Sequence, residues 1–190
     1  MDEVAIEVFA PTFQYCLMIY VLGYPEFEPR LAWQLDRFRS VHEPERAKLV
    51  PPHITLVFGL KRADPKDVLT ICERVSRKIP EFSIELAHSE VVYDPFEKTH
   101  KLILVCGQGK ERLTALHNQL YEGPHRTELQ LEIPYQPHMT VATHANRSVV
   151  EQLDAADIGP LPISGTITAL HLVELVDGKL NALAKASLRK

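Results

Sequence analysis

The chain has 190 residues, 45% of them apolar and 24% charged, with a formal net charge of −4. A mildly acidic protein of ordinary globular mix does not coat nucleic acid through its overall field, so a phosphate-bearing ligand must be met by a local positive pocket. The length suits one domain over residues 1–190, or two small lobes that share a core. The N-terminal stretch carries Asp2, Glu3 and Glu7 and no basic segment ahead of an apolar one, which argues against a secretory leader. The apolar run at 15–22 is far short of the roughly 20 residues a spanning helix needs. Cys16, Cys72 and Cys106 are odd in number and widely spaced, the pattern of buried free thiols, so a cytoplasmic location is expected.

In chain order, "YCLMIYVL" (15–22) reads as a buried strand ending at Gly23. Leu31, Leu35, Phe38 and Val41 recur at helical spacing and predict a helix over 29–42. "EPERAKLVPP" reads as a loop, and 53–59 as a strand. Asp64 followed by Pro65 is a helix start, Val68, Ile71, Cys72, Val75 and Ile79 form its apolar stripe, and Pro80 stops it. Strands follow at 82–92 and over "LILVC", separated by the loop "YDPFEKTHK". "KERLTALHNQLYEG" is helical, with Leu113, Leu116 and Leu120 inward and Gly123 as its stop. A strand at 138–143, a short helix near 146–156 and a hairpin turning at Asp177-Gly178 complete the chain. Strand, helix and strand recur over 15–60 and 102–143, which suggests a duplication with two pseudo-symmetric lobes and a cleft between them.

The sharpest signal is a short pattern that occurs twice, in "PPHITLVFGL" and "YQPHMTVATH": proline, histidine, an apolar residue, threonine, an apolar residue. The two copies open the second strand of each half-repeat, 85 positions apart. A scrambled chain of this composition would hold on the order of 0.04 such matches. Side chains alternate along a strand, so His53 and Thr55 share one face, as do His138 and Thr140, with Ile54, Leu56, Met139 and Val141 opposite. Two imidazoles and two hydroxyls facing one cleft suit in-line displacement at a phosphodiester. A neutral imidazole takes a proton from the attacking oxygen and a protonated one gives a proton to the leaving oxygen. The threonines donate hydrogen bonds to the charged phosphoryl oxygens.

These two stretches, "HITL" and "HMTV", resemble the paired His-x-Thr-x motifs of the 2H phosphoesterase superfamily, which includes 2′-5′ RNA ligase-like proteins and cyclic nucleotide phosphodiesterases. The similarity extends over the first apolar strand, "VPPHITLVFG", "LILVCGQGKERLTALHNQL" and the closing hairpin. The resemblance implies a bilobal α+β fold with two antiparallel sheets flanking a central cleft and helices outside. It also implies phosphodiester chemistry without a metal or other cofactor, with His53, Thr55, His138 and Thr140 catalytic. Members near the bacterial RNA ligases carry an arginine soon after the second motif, where this chain has Ala142, Thr143 and His144.

The expected activity is hydrolysis of nucleoside or RNA 2′,3′-cyclic phosphates by a monomer that acts on a nucleotide or RNA terminus and not at a membrane. The alternatives are a 2′-5′ phosphodiesterase or RNA ligase-type activity, and a non-catalytic protein that binds RNA ends. A metal site built from the same histidines is disfavoured, since two histidines without a nearby carboxylate or thiol are an incomplete ligand set. Phe96 and Tyr93 in the loop at 93–100, Tyr135 and His144 are weaker candidates for substrate contact. His171 reads as a surface or cleft residue, His117 and His125 as helix and loop surface, and Arg30, Arg46 and Lys48 as sources of positive potential.

Overall fold

The computed structural model describes residues 18–129, 132, 134–176 and 179–190. Cys16, the start of the first apolar run and the Asp177-Gly178 turn lie outside the described residues. The described residues form eight strands and five α-helices. These are β1 (Met18–Gly23), α1 (Pro29–His42), α2 (Pro44–Leu49), β2 (Ile54–Leu60), α3 (Pro65–Ser76), β3 (Phe82–Asp94), β4 (Thr99–Cys106), α4 (Lys110–Leu120), β5 (His138–His144), α5 (Arg147–Glu151), β6 (Ile163–Ile167), β7 (Ala169–Val176) and β8 (Lys179–Ser187). Short 3-10 turns cover Pro124–Glu128 and Ala155–Asp157.

The strands form two four-stranded sheets with every pairing antiparallel, in the orders β2-β1-β7-β8 and β5-β4-β3-β6. The orders correspond place by place. The strand carrying the Pro-His-x-Thr pattern is the outer strand of each sheet, and the first strand of its half-repeat is its neighbour. The fold is α+β with two pseudo-symmetric lobes. The helices cross over, however: α1 packs against β5 of the second sheet and α4 against β2 of the first. The core is accordingly one cluster drawing on both sheets, with Ile19, Val21, Ile54 and Leu56 on one side and Leu102, Leu104, Met139 and Val141 on the other.

Local chemistry explains the elements. Asp64 accepts a hydrogen bond from the Lys66 N–H at 2.9 Å and starts α3 with Pro65. Gly109 begins α4 at φ 88°, where an added Cβ would lie 2.9 Å from the Ser83 carbonyl oxygen. Three expectations are corrected. Residues 44–49, read as loop, form α2 behind Pro44. The helix near 146–156 is shorter, α5 followed by a 3-10 turn. The C-terminal hairpin is preceded by a separate strand, β6, which pairs with β3 in the other sheet. Cys72 and Cys106 are free and buried, and burial pushes their thiols up to about 12 and about 11. Among the described residues no helix is long and apolar enough to cross a membrane.

Candidate active site

The two Pro-His-x-Thr stretches adopt the same local structure. His53 stands one residue ahead of β2, and its Nδ1 lies 2.8 Å from the carbonyl oxygen of Pro51. His138 opens β5, and its Nδ1 lies 2.7 Å from the carbonyl oxygen of Gln136. In each case the partner is two residues back, across a proline. A carbonyl only accepts, so each Nδ1 carries the hydrogen and each neutral ring keeps its lone pair on Nε2. The residue after each threonine is a bulge. Leu22 pairs with Thr55 and Val21 with Val57, which leaves Leu56 extra, while Ile103 pairs with Thr140 and Leu102 with Ala142, which leaves Val141 extra. Both bulged side chains are fully buried. Both histidines and both threonines are half-buried, and among the described residues neither threonine hydroxyl has an internal hydrogen-bond partner.

Register places further groups on the same faces. Thr55, Leu22, His171 and Lys185 form one row across the first sheet. The Tyr24 ring bridges this row, 6.3 Å from the His53 ring and 4.6 Å from that of His171. Across the second sheet, Val105 and His88 extend the row of His138, and Ile103 and Glu90 that of Thr140. Beyond the bulge the next residue on this face is Thr143, in register with Lys101. The Thr143 hydroxyl donates to Glu43 at 3.1 Å, and Glu43 holds the buried Arg39 at 2.5 Å. Burial pushes the Glu43 carboxyl up against the opposing pull of Arg39. Lys101 bonds Asp94 at 2.5 Å and Glu97 at 3.1 Å. Burial raises the Asp94 carboxyl, but Lys101 and the turn N–H groups outweigh it and leave it below its ordinary value.

The two imidazoles differ in electrostatic setting. Burial pushes His53 down to about 4, its bond to Pro51 opposes this, and Arg39, Arg46 and His138 add to the depression. Burial also lowers His138, with Lys101 acting in the same sense, while the bond to Gln136 and the carboxylates of Asp94 and Glu90 oppose it. Each ring is therefore neutral at neutral pH in the free protein, and His138 has the surroundings that more readily accept a proton.

The family model of the 2′-5′ RNA ligase superfamily matches residues 27–179. The chain belongs to this superfamily. Its members, the 2H phosphoesterases, act on phosphodiester bonds. Solved structures with the same fold include E. coli LigT complexed with ATP, which is 19% identical over 91% of this chain and 98% of its own, with a TM-score of 0.55. LigT complexed with 3′-AMP gives 18% identity over 93% and 99%, at the same TM-score. Kluyveromyces marxianus Usb1 with uridine monophosphate is 10% identical over 87% and 97%, again at 0.55. No curated protein matches the chain.

In this superfamily member the other sequence candidates scatter. Phe96, 71% exposed, stands on the four-residue turn between β3 and β4. Tyr93 is in register with His100 and His100 with His144, a row on the face of the second sheet opposite Thr140 and Lys101. The bulge at Val141 put His144 there. An unbroken β5 would have kept His144 beside Thr140. His144 instead lines a cavity of about 110 Å³ that also touches α1 and α5. The Tyr135 hydroxyl donates to the Thr55 carbonyl oxygen at 3.0 Å, and its ring stacks on His117 at 3.9 Å. His117 and His125 are buried, correcting their surface reading, and bond the carbonyl oxygens of Leu56 and Leu120. Arg30 is exposed, and Lys48 pairs with the exposed Glu45. Arg46 alone of the three proposed cations reaches across to the other lobe, to Glu97. Arg39, Glu43, Lys101, Thr143 and Tyr24 escaped the sequence reading. A groove of about 430 Å³ opens beside Pro51 and Pro52, walled by Tyr24, Pro25, Phe27 and Ala32. Among the described residues no His, Cys, Asp and Glu side chains group in threes as a metal ion would need.

Proposed function

We propose that this protein hydrolyses nucleoside or RNA 2′,3′-cyclic phosphates by two-histidine acid–base catalysis that uses no metal. The observation that carries the reading is the matched pair of imidazoles, each fixed through Nδ1 to a backbone carbonyl two residues back and each left with Nε2 for a ligand. His53 is the base, because burial, reinforced by two guanidinium groups, disfavours its protonation. Its Nε2 takes a proton from water, and the water oxygen attacks phosphorus. The opposite bond from phosphorus to a ribose oxygen breaks, and that oxygen takes a proton from Nε2 of His138 in its protonated form, which burial and Lys101 disfavour but the bond to Gln136 and the carboxylates of Asp94 and Glu90 support. The Thr55 and Thr140 hydroxyls donate to the non-bridging oxygens, where the charge gathers. Solvent returns both rings to their starting states.

The crystallised complexes of LigT with 3′-AMP and of Usb1 with uridine monophosphate support a nucleotide as the substrate class. Phe96 stands where an exposed ring can stack a base. Tyr93 and His144 lie on the face away from the histidines, and the Tyr135 ring is engaged by His117.

The test is purified protein with 2′,3′-cyclic AMP, a short RNA ending in a 2′,3′-cyclic phosphate and a 2′-5′-linked dinucleotide, all with EDTA present. Chromatography of the products is expected to show a 2′- or 3′-phosphate from the cyclic substrates. His53→Ala and His138→Ala should each lower kcat/KM by about 10²–10⁴-fold, with circular dichroism unchanged. Wild-type turnover by either variant sinks the two-histidine mechanism. Cleavage of the 2′-5′ linkage alone moves the activity to that substrate.

A further inference from the structure

We propose that Arg46 and Lys101 form a second phosphate subsite beside the two histidines, covered in the free protein by Glu97, so that the preferred ligand carries a further phosphate next to the reacting one. The inference rests on the reading of the histidine cleft as a phosphodiester site. Arg46 Nη2 and Nη1 lie 2.8 and 3.2 Å from Glu97 Oε1, and Nη1 lies 3.2 Å from Oε2. Lys101 Nζ lies 3.1 Å from the same Oε2. A carboxylate spread between a guanidinium and an ammonium has the contacts that two non-bridging oxygens of a phosphate would make.

The charges in this part of the cleft balance. Arg39, Arg46 and Lys101 face Glu43, Asp94 and Glu97. Two of the carboxylates are pinned. Glu43 is buried and bonded by Arg39 and Thr143. Asp94 accepts the N–H groups of Phe96 and Glu97 at 2.8 and 3.1 Å as well as Lys101. Glu97 differs from both. Its side chain is 43% exposed, it sits on the turn at 95–98, and among the described residues its carboxylate is held only by the two cations. Turning it outward leaves one unbalanced positive charge, the complement of one phosphodiester. Lys101 shares a strand face with Ile103, the partner of Thr140, and the charge of Arg46 is felt at His53. Lys101 therefore stands one same-face position beyond Thr140 and two beyond His138, and Arg46 meets it there through Glu97.

The second phosphate has two possible sources, a 5′-phosphate on the reacting nucleotide or the linkage to its neighbour in an RNA chain. Calorimetric titration of three ligands that undergo no turnover separates them: adenosine 3′-monophosphate, adenosine 3′,5′-bisphosphate and a diadenylate ending in a 3′-phosphate. In Glu97→Gln the ligand with the correctly placed second phosphate should bind about tenfold tighter than the monophosphate, one charge-assisted contact's worth. The wild type should show a smaller preference, and Arg46→Gln should show none. Preference for the bisphosphate names the 5′-phosphate, and preference for the diadenylate names the RNA chain. Three equal affinities in Glu97→Gln overturn the proposal, as does an equal loss for all three ligands in Arg46→Gln. Binding is read without hydrolysis, so a protein that fails to turn over cyclic phosphates but shows this pattern loses the proposed function and keeps the subsite.

Discussion

Tyr135 ties the second motif to the first. It stands three residues before His138, yet its hydroxyl donates to the carbonyl oxygen of Thr55 at 3.0 Å. That carbonyl lies on the open edge of β2, where no strand covers it. His117 serves the next carbonyl, Leu56, at 2.7 Å, and the Tyr121 hydroxyl accepts from the Phe58 N–H at 3.1 Å. In Tyr135→Phe the ring and its stacking survive and one half-buried hydrogen bond is lost. A neutral bond of this kind is worth about 1 kcal/mol net. For a chain of this length that corresponds to a fall in Tm of about 2–4 °C. Because the lost bond fixes the backbone that carries the Thr55 hydroxyl, kcat should fall while KM stays within about twofold, and His117→Ala should be non-additive with it. Differential scanning calorimetry and initial rates on the cyclic substrate decide the matter. An unchanged Tm refutes the hydrogen bond's contribution. A lowered Tm with unchanged kcat refutes its hold on Thr55.

Three further outcomes are expected. The plot of kcat/KM against pH should be a bell with its maximum on the acid side of neutrality. Neutral His53 is lost as pH falls through about 4, and protonated His138 is lost as pH rises through a value below the usual 6.5. A maximum above pH 7.5 would contradict the assignment of roles. Folding should follow the same window, because a histidine held below its unfolded pKa favours the native state above that unfolded value and loses this as the solution is acidified. Urea midpoints at pH 7.5 and 5 should fall more for the wild type than for His53→Gln. Gly109→Ala should lose about 1–2 kcal/mol or more by the same measurement, since φ is 88° and the new Cβ would meet the Ser83 carbonyl.

Much of this molecule could be read from local signals. The apolar run of β1, the Asp64-Pro65 start of α3 and the doubled Pro-His-x-Thr pattern each depend on neighbours a few residues away, and each stands where expected. What escaped depends on partners far along the chain. Arg39 and Glu43 look like an ordinary solvated pair on a helix, and their burial comes from Val50 and Thr143. His117 reads as the polar side of α4 until the bare edge of β2 is laid against it. The bulges at Leu56 and Val141 leave no mark in the alternation of residue types, yet the second decides that Thr143, and not His144, shares the face of Thr140. The strand β6 is five residues long and contains a glycine, too weak a pattern to part it from the hairpin that follows.

The crossed helices have a consequence for how the chain comes to be folded at all. β1 waits for β7, some 150 residues later, before its second edge is covered, and α1 finds its sheet only when β5 has been made. During synthesis, then, the first half of the chain has neither a finished sheet nor a place for its helix. Contacts so distant in sequence slow folding, because the chain loses the entropy of closing long loops before they stabilise anything. A ribosome stalled near residue 120 would present bare strand edges and an unburied apolar stripe, the surfaces that chaperones bind. The two halves of the cleft therefore mature together or not at all.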